Sequence, residues 1–303
     1  MTRSARFRKT AQSPNIASLT LDQLEAAGTL VYEAFLDIAT RHNFEPPFES
    51  PEFARFLVRF LNSSEGFTSF VASEGGQPVA VNFLDERNEI AGVGPVAVSV
   101  AHQGRRLGRV VMEALLERAE RFGYESVRLL QAAYNLVSFS LYSALGFEVK
   151  DGMALVRGRP RPGEHPAGVI RECEPSDLDA LDGLSMEVLG FRRRGDIESV
   201  MAWTRPLLVE RDGRPTGFVC RFATPDSTFL GPAVARDEET LRDLIAGAAM
   251  STPGELRFLL PVSCPWLLRW ALQGGFSLVE LDTLMVRGAY EAPAGAYMPS
   301  AWY

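Results

Sequence analysis

The chain has 303 residues, of which 46% are hydrophobic and 23% are charged, the composition of a globular protein long enough for two domains. Its net charge of −7 argues against a general nucleic-acid-binding surface, and no apolar run approaches the roughly 20 residues of a membrane-spanning helix, so we expect neither partner. The three widely spaced cysteines are expected to be buried and reduced, as in a cytoplasmic protein, and the basic residues 1–10 are interpreted as a chain end rather than a secretory signal.

The first half predicts helices and strands that build a mixed, mostly antiparallel sheet. Helical periodicity and start signals mark the helices, and glycine-bearing turns separate the strands. Asp151-Gly152 predicts a terminal hairpin, and the strand–helix–strand unit before it predicts a parallel crossover. The expected elements are helices over 21–40 and 51–61, strands over 67–72, 78–84 and 93–100, a helix over 107–122, a strand over 126–131, a helix over 138–145, and hairpin strands over 147–150 and 153–156.

A linker rich in proline and glycine, residues 158–168, separates two stretches that look alike. Gly94-Pro95 in the first stretch corresponds to Gly231-Pro232 in the second, and both stretches close with Gly-Phe followed by a strand ending in Val-Arg-Gly. The sequence therefore predicts two domains of one design, residues 1–157 and 169–303. The aromatic tail 297–303 is expected to pack on a groove.

The most informative motif lies between a short apolar strand and a helix. The strand contains Val96, and the turn reads Gln103-Gly104-Arg105-Arg106-Leu107-Gly108. A glycine-bearing turn that enters a helix presents free N–H groups and the positive end of the helix dipole, which together hold a pyrophosphate. The alternative interpretation is a helix that merely begins at a glycine, with solvated arginines.

Two residues beyond the crossover could take part in chemistry. Tyr142 could donate a proton to a leaving thiolate, since a phenol and a thiol have comparable pKa values; it could instead be a core aromatic. Asn135 precedes the second helix and could cap it or contact a ligand, and the two roles are compatible.

This order, with Gln103–Gly108 followed by Asn135, Tyr142 and Gly146-Phe147, resembles the GCN5-related N-acetyltransferase (GNAT) superfamily. The resemblance implies an α/β fold (α+β in its mixed sheet) with two tandem acyl-CoA N-acyltransferase-like domains, the second degenerate. It implies that acetyl-CoA is the co-substrate, that Tyr142 is the general acid, and that no metal takes part. The implied cofactor-binding residues are Val96, Ala97, Val98, Gln103, Gly104, Arg105, Arg106, Leu107, Gly108, Arg109 and Asn135. Arg106 departs from the family pattern, because it stands where a glycine is expected.

The group that would take the proton from an acceptor amine is not evident. Many GNAT relatives place a glutamate just before the position of Asn135, but residues 129–131 contain no carboxylate. The nearest candidate bases by topology are Asp85, Glu86 and Glu89, each of which could instead be a solvated loop charge. Glu33, Asp37, His42 and Glu45 lie on or after the first helix, where GNAT relatives bind the acceptor. Arg192-Arg193-Arg194 could grip an acidic acceptor or form a solvated loop. The second half has neither glycine nor tyrosine at the matching places, which hold residues 236–240 and Ala271.

The resulting expectation is an N-acyltransferase that moves a small acyl group from acyl-CoA to the amine of a small molecule or peptide. A non-catalytic acyl-CoA-binding or sensing protein is the alternative, and an interaction scaffold is a third interpretation. Neither the acceptor nor the oligomeric state can be read from the sequence, and a homodimer stays open.

Overall fold

The computed structural model describes residues 16–224 and 227–300, so the basic residues 1–10 and the end of the aromatic tail, 301–303, lie outside it. The first half contains four α-helices and seven strands in these described residues. The helices are α1 Leu24–Arg41, α2 Pro51–Ser63, α3 Leu107–Arg121 and α4 Leu136–Ala144. The strands are β1 Ile16–Ala17, β2 Phe67–Glu74, β3 Gln77–Asp85, β4 Ala91–Val93, β5 Ala97–Val98, β6 Ser126–Ala132 and β7 Glu148–Gly158.

The second half repeats this plan over the residues described after 168. Its helices are α5 Leu178–Leu189, α6 Arg194–Met201, α7 Glu238–Ser251 and α8 Pro265–Gln273. Its strands are β8 Val169–Glu172, β9 Leu207–Arg211, β10 Arg214–Ala223, β11 Ser227–Ala235, β12 Glu255–Pro261, β13 Phe276–Gly288 and β14 Ala296–Met298. No helix in the described parts of the chain is both long and apolar enough to cross a membrane.

The two halves share one continuous mixed sheet, because each contributes its last long strand to the other. Among the described residues the order is β1-β2-β3-β4-β6-β13-β7-β12-β11-β10-β9-β8. Strand β13 of the second half lies between β6 and β7 of the first, and β7 pairs on its other side with β12. The proposed division into residues 1–157 and 169–303 stays a description of the sequence repeat, since strand pairing crosses it.

The predicted hairpin across Asp151-Gly152 is wrong: residues 148–158 form the single strand β7. Asp151 pairs with Leu284 and Gly152 with Thr283, and Met153 pairs with both Pro261 and Asp282. A hairpin would satisfy only local backbone groups, whereas two foreign strands satisfy both edges of an extended segment. Tertiary pairing therefore overrides the turn signal.

The predicted strand 93–100 is interrupted, and the interruption opens a cleft. Strand β4 pairs in parallel with β6 only over residues 91–93, which confirms the parallel crossover. After Gly94-Pro95 the chain continues as β5, which pairs with β3 and not with β6. The space between residues 96–98 and residues 130–132 is called the strand cleft below.

In the second half the chain fills the equivalent cleft with its own tail. Strand β14 pairs antiparallel with β11 at Ala233, Val234 and Ala235, which match residues 96–98 in the repeat. Residues 296–300 are all buried, as expected for the described part of the aromatic tail. The second cleft is therefore closed by protein. Cys173, Cys220 and Cys264 are free and buried, as expected.

Candidate functional site

The turn before α3 presents a row of backbone amides with no acceptor. From Gly104 to Arg109, no N–H group has a hydrogen-bond partner among the described residues, and no side chain caps the helix. Gly104 adopts φ +76, and a Cβ there would meet open space. Arg105 also lies at this turn, with a guanidinium 3.7 Å from Glu74. The helix end is thus open to an anion, with the positive end of the dipole directed outward.

The backbone of Arg106 is strained at this turn. It adopts the left-handed conformation, with φ 65 and ψ 11, and is exposed. That conformation costs a non-glycine residue about 1–2 kcal/mol. Family patterns that place glycine here thus have a physical reason, and this chain keeps the geometry without the glycine.

We therefore expect Arg106→Gly to raise the free energy of unfolding by up to about 1 kcal/mol, because relief of the left-handed strain exceeds the extra entropy that glycine loses on folding. Urea unfolding of the purified variant measures this. Arg105→Gly is the matched control: Arg105 is exposed on the same turn but has no positive φ, so that variant should be slightly destabilised. Equal effects of the two variants would contradict the prediction.

Strand β5 presents its outer backbone edge to the strand cleft. The Ser99 N–H donates to the Val79 carbonyl of β3 at 2.9 Å, and Ala97 is buried. Because backbone groups alternate in direction along a strand, those of Val96 and Val98 point away from β3 and into the cleft. Gly108 lies behind this edge, where a Cβ would come 3.5 Å from Val98 Cγ2. An extended ligand arm could add to β5 as a strand, as β14 adds to β11.

The corresponding helix ends of the second half are occupied by the chain's own carboxylates. The Thr240 N–H donates to Asp237 Oδ1 at 2.7 Å at the start of α7. The Leu267 N–H donates to Glu238 Oε2 at 2.5 Å near the start of α8. Ala271, at the place of the tyrosine, is fully buried. In the second half the helix-start amides are occupied and the cleft is filled by β14. The candidate site therefore lies in the first half.

Asn135 is a helix cap. The Ser138 N–H donates to its Oδ1 at 3.2 Å. Its carbonyl accepts from Gln131 Nε2 at 2.8 Å, and Gln131 Oε1 in turn accepts from the Thr283 hydroxyl at 2.9 Å. The cap interpretation holds, and it fixes the start of α4 beside the end of β6.

Tyr142 lies in the core between α3, α4 and the sheet, next to Phe147, with ring centroids 6.0 Å apart. It is 7% exposed, and its hydroxyl makes no hydrogen bond to any described residue. Burial raises the pKa of this phenol above its usual range, so it stays protonated at neutral pH. The ring packs as a core residue, while the hydroxyl keeps its proton and its hydrogen-bonding capacity.

The carboxylates named as candidate bases between β3 and β4 are held by other groups. Asp85 forms an ion pair with Arg87 at 2.5 Å. Glu86 accepts from the Thr68 hydroxyl and from Arg118. Glu89 accepts the Arg192 N–H at 2.9 Å. These contacts fix the β3–β4 loop and engage all three carboxylates there.

Two carboxylates that the sequence reasoning missed lie at the end of β6. Glu280 and Asp282 are on β13, and Asp282 is directly opposite Ala132. Beside them Tyr134 stacks on Phe44 at 4.2 Å and approaches His42 at 5.4 Å. The available signal was an alternating acid pair, Glu-Leu-Asp, inside a mostly apolar strand. Glu280 and Asp282 reach the first half only because β13 is exchanged into its sheet.

The run Arg192-Arg193-Arg194 is not an open anion site, and of its three side chains only Arg193 is buried, whereas Arg192 and Arg194 are exposed. Each guanidinium pairs with an aspartate of the same half. The contacts are Arg192–Asp182 at 2.8 Å, Arg193–Asp196 at 2.5 Å and Arg194–Asp179 at 2.6 Å. Arg193 is 1% exposed, so its pairing fixes the α5–α6 connection.

Sequence comparison gives two family matches in tandem. A model described as acetyltransferase (GNAT) family matches residues 31–147, and one described as acetyltransferase (GNAT) domain matches residues 183–296. An uncharacterised N-acetyltransferase of Methanocaldococcus jannaschii is 24% identical over 143 residues, which is 45% of this chain. The match spans only 61% of that relative's length.

Solved structures resemble the chain over nearly its whole length. A putative acetyltransferase from Pyrococcus horikoshii has a TM-score of 0.73 at 20% identity, and the match covers 99% of each chain. A GCN5-related N-acetyltransferase from Sphaerobacter thermophilus has a TM-score of 0.63 at 14% identity, covering 91% of this chain and 96% of that one. At such identities the likeness concerns the fold, and it confirms the predicted mixed α/β class with two tandem units.

Proposed function

The chain belongs to the GNAT acetyltransferase family, and from this premise we propose that it transfers an acyl group from acyl-CoA to a primary amine. Acetyl-CoA is the proposed co-substrate. The observation that carries the proposal is the open row of amides from Gly104 to Arg109, directly beside an unpaired strand edge. A nucleotide diphosphate with an extended amide arm fits both features at once.

In the proposed complex the amides from Gly104 to Arg109 donate to the pyrophosphate, and Arg105 and Arg109 add positive charge. The backbone of Val96 and Val98 pairs with the pantetheine arm on either side of Ala97. Gln103 and Leu107 frame the turn, and Gly108 lets α3 approach β5. Asn135 acts by fixing α4, which carries Tyr142. The thioester thus reaches the end of the strand cleft, between α4 and the acceptor.

Tyr142 is the proposed general acid. The amine attacks the thioester carbonyl, and the departing thiolate takes the phenol's proton. Burial without a hydrogen-bond partner suits this role, because the hydroxyl is protonated and free to bond the sulfur. The non-catalytic alternative is favoured by one observation, the absence of a carboxylate in residues 129–131.

Acyl transfer is tested by incubating the purified chain with acetyl-CoA and a panel of primary amines: a polyamine, an amino sugar, amino-acid amides and peptides bearing a lysine or free N-terminus. Thiol release is followed continuously, and mass spectrometry identifies the acetylated amine. We expect amine-dependent release of CoA. CoA binding without transfer to any amine would favour the sensing protein, and no binding of CoA in calorimetry would overturn the proposal.

The open amides and arginines of residues 104–109, called the anion cradle below, lead to a separate prediction. Arg105→Glu combined with Arg109→Glu should weaken CoA binding by roughly 10- to 100-fold, because two attractive charges at the phosphates become repulsive. Calorimetry should give one CoA per wild-type chain, since the second cleft is filled. Arg121→Glu, an exposed residue at the other end of α3, is the matched control and should leave the affinity unchanged.

A further inference from the structure

We propose that the second half supplies the general base of the first: Asp282 on the exchanged strand β13 takes the proton from the acceptor ammonium, and Glu280 helps to bind that cation. The inference rests on the proposed N-acyltransferase function. It assigns to the degenerate half a part in the reaction, and it names the acceptor class, an amine that arrives as a cation.

Strand register puts Asp282 where the first half lacks a carboxylate. It pairs with Ala132, the last residue of β6, and the Ala133 N–H donates to the Leu281 carbonyl at 2.9 Å. Asn135 and the start of α4 come within a few residues of Ala132 along the chain. The missing base of residues 129–131 is thus replaced from the neighbouring strand at the same level of the sheet.

Asp282 and Tyr142 lie on opposite faces of the sheet. Met285 packs in the cluster that contains Tyr142, whereas Leu284 packs in a different cluster with Leu130. The register between β13 and β6 is continuous over these residues, so side chains alternate and Asp282 shares the face of Leu284. A thioester in the strand cleft would have the acid on one side and the base on the other. That arrangement lets the amine enter from the face opposite the leaving sulfur.

Aromatic rings line the entry to this position. Tyr134 follows β6, with Phe44 stacked on it and His42 nearby, both from the segment after α1. Aromatic faces attract an ammonium group, and two carboxylates beside them favour a cation further. The combination selects a protonated amine over a neutral or anionic acceptor.

Both carboxylates lack a partner. Neither Glu280 nor Asp282 has a hydrogen bond or ion pair among the described residues, yet both are only half-buried, so solvent and substrate can reach them. Burial, with the nearby Glu280 charge, raises the pKa of Asp282 to about 7. Burial also raises the pKa of Glu280 to about 7, against the lowering effect of Arg257 and with a further rise from Glu45.

Other charged or titratable groups face the pair. Tyr134 stays a neutral phenol, because burial and the charges of Glu280 and Asp282 raise its pKa. Arg157 is tied to Glu45 at 2.7 Å and lies 3.6 Å from Glu255, so it is already neutralised. His42 also belongs to this group, with its ring 5.4 Å from that of Tyr134. A base with a pKa near the working pH takes up and releases its proton readily.

The proton balance is complete without further reagents. The ammonium gives one proton to the Asp282 carboxylate, and the freed lone pair forms the C–N bond as the C–S bond breaks. Sulfur takes the proton of Tyr142, and the second nitrogen proton restores the phenol. The proton on Asp282 leaves to solvent, so amide, thiol and one proton are the products.

The test is the pH dependence of kcat/KM for Asp282→Asn with an amine that the wild-type protein acetylates. We expect activity of the wild type to rise through about pH 7 as Asp282 loses its proton. In the variant, kcat should fall roughly 100-fold or more and this rise should disappear. Glu280→Gln should shift the rise to lower pH, because removing the neighbouring negative charge lowers the pKa of Asp282, and should raise KM for the amine. Glu148→Gln, an exposed carboxylate on β7, is the matched control and should change nothing.

Unfolding is checked by thermal denaturation. The raised pKa of Asp282 means that its charged form is disfavoured in the folded state, so above about pH 7 the folded wild type carries a cost that Asp282→Asn removes. The variant should therefore melt no lower than the wild type at pH 8, while CoA binding is retained. A wild-type chain that binds CoA but acetylates no amine would overturn the proposed function. An active Asp282→Asn with the pH rise intact would overturn this inference alone.

Discussion

Replacing Tyr142 by Phe is expected to lower kcat for acyl transfer by roughly 100- to 10,000-fold, the range that a general acid contributes. The thiolate would have to leave without a proton donor, although the ring, the core packing and the cradle are unchanged. CoA affinity should hold, because the phosphates and the pantetheine arm contact other residues. The measurement pairs steady-state kinetics with calorimetry on the same preparation.

Stability serves as the control for this variant. The hydroxyl of Tyr142 makes no hydrogen bond to any described residue, so deleting it breaks none and should not lower the melting temperature. A large loss of kcat in a protein of undiminished stability would support a chemical role. Unchanged kcat would instead assign Tyr142 to the core alone, where it packs against Phe147.

The halves are expected not to fold apart. Residues 1–163 expressed alone would lack β13, which fills the space between β6 and β7 and buries Leu284, Met285 and Val286 almost completely. Burying three such side chains is worth about 5–8 kcal/mol, a large part of the 5–15 kcal/mol by which a typical domain is stable. The unpaired edges of β6 and β7 would add to the loss.

Co-expression provides the decisive comparison. Fragments 1–163 and 164–303 produced together should assemble and bind CoA, because the exchange depends on strand pairing and not on the linker. A protease site placed at the exposed Gly163 should likewise leave an associated, active complex after cleavage. A first fragment that is folded, monomeric and CoA-binding by itself would show instead that the exchanged strands are dispensable.

Much of the local plan was predictable because it rests on short-range physics. Helical periodicity with a proline or glycine at the ends gave α2 and α3 within about two residues, and the glycine turn after Glu74 gave the β2–β3 hairpin. The turn at Gly104 could be recognised because an open helix end needs only a few adjacent residues. The Asp151-Gly152 hairpin failed because local turn preference competed with two long strand pairings.

The candidate site likewise combines residues that are close in the sequence with residues that only the tertiary structure brings together. Tyr142 and the cradle belong to one continuous stretch, so their spacing in the sequence carries their geometry. The carboxylates near Asn135 come from residues about 150 positions later, and they reach the first half only through the register of β13 on β6. Asp85 and Glu86, two of the candidate bases named from the sequence, are instead paired with Arg87 and Arg118.

By itself, the amino-acid sequence determined the repeat, most of the helices and strands, and the helix end that can receive an anion, since each depends on residues close together in the chain. Tertiary structure alone decided that the halves exchange their last strands, that the tail fills one cleft and leaves the other open, and that Asp282 lies opposite the last residue of β6. Pairing between distant strands depends on burial and backbone hydrogen bonding over the whole sheet, so it cannot be predicted from any short segment of the sequence.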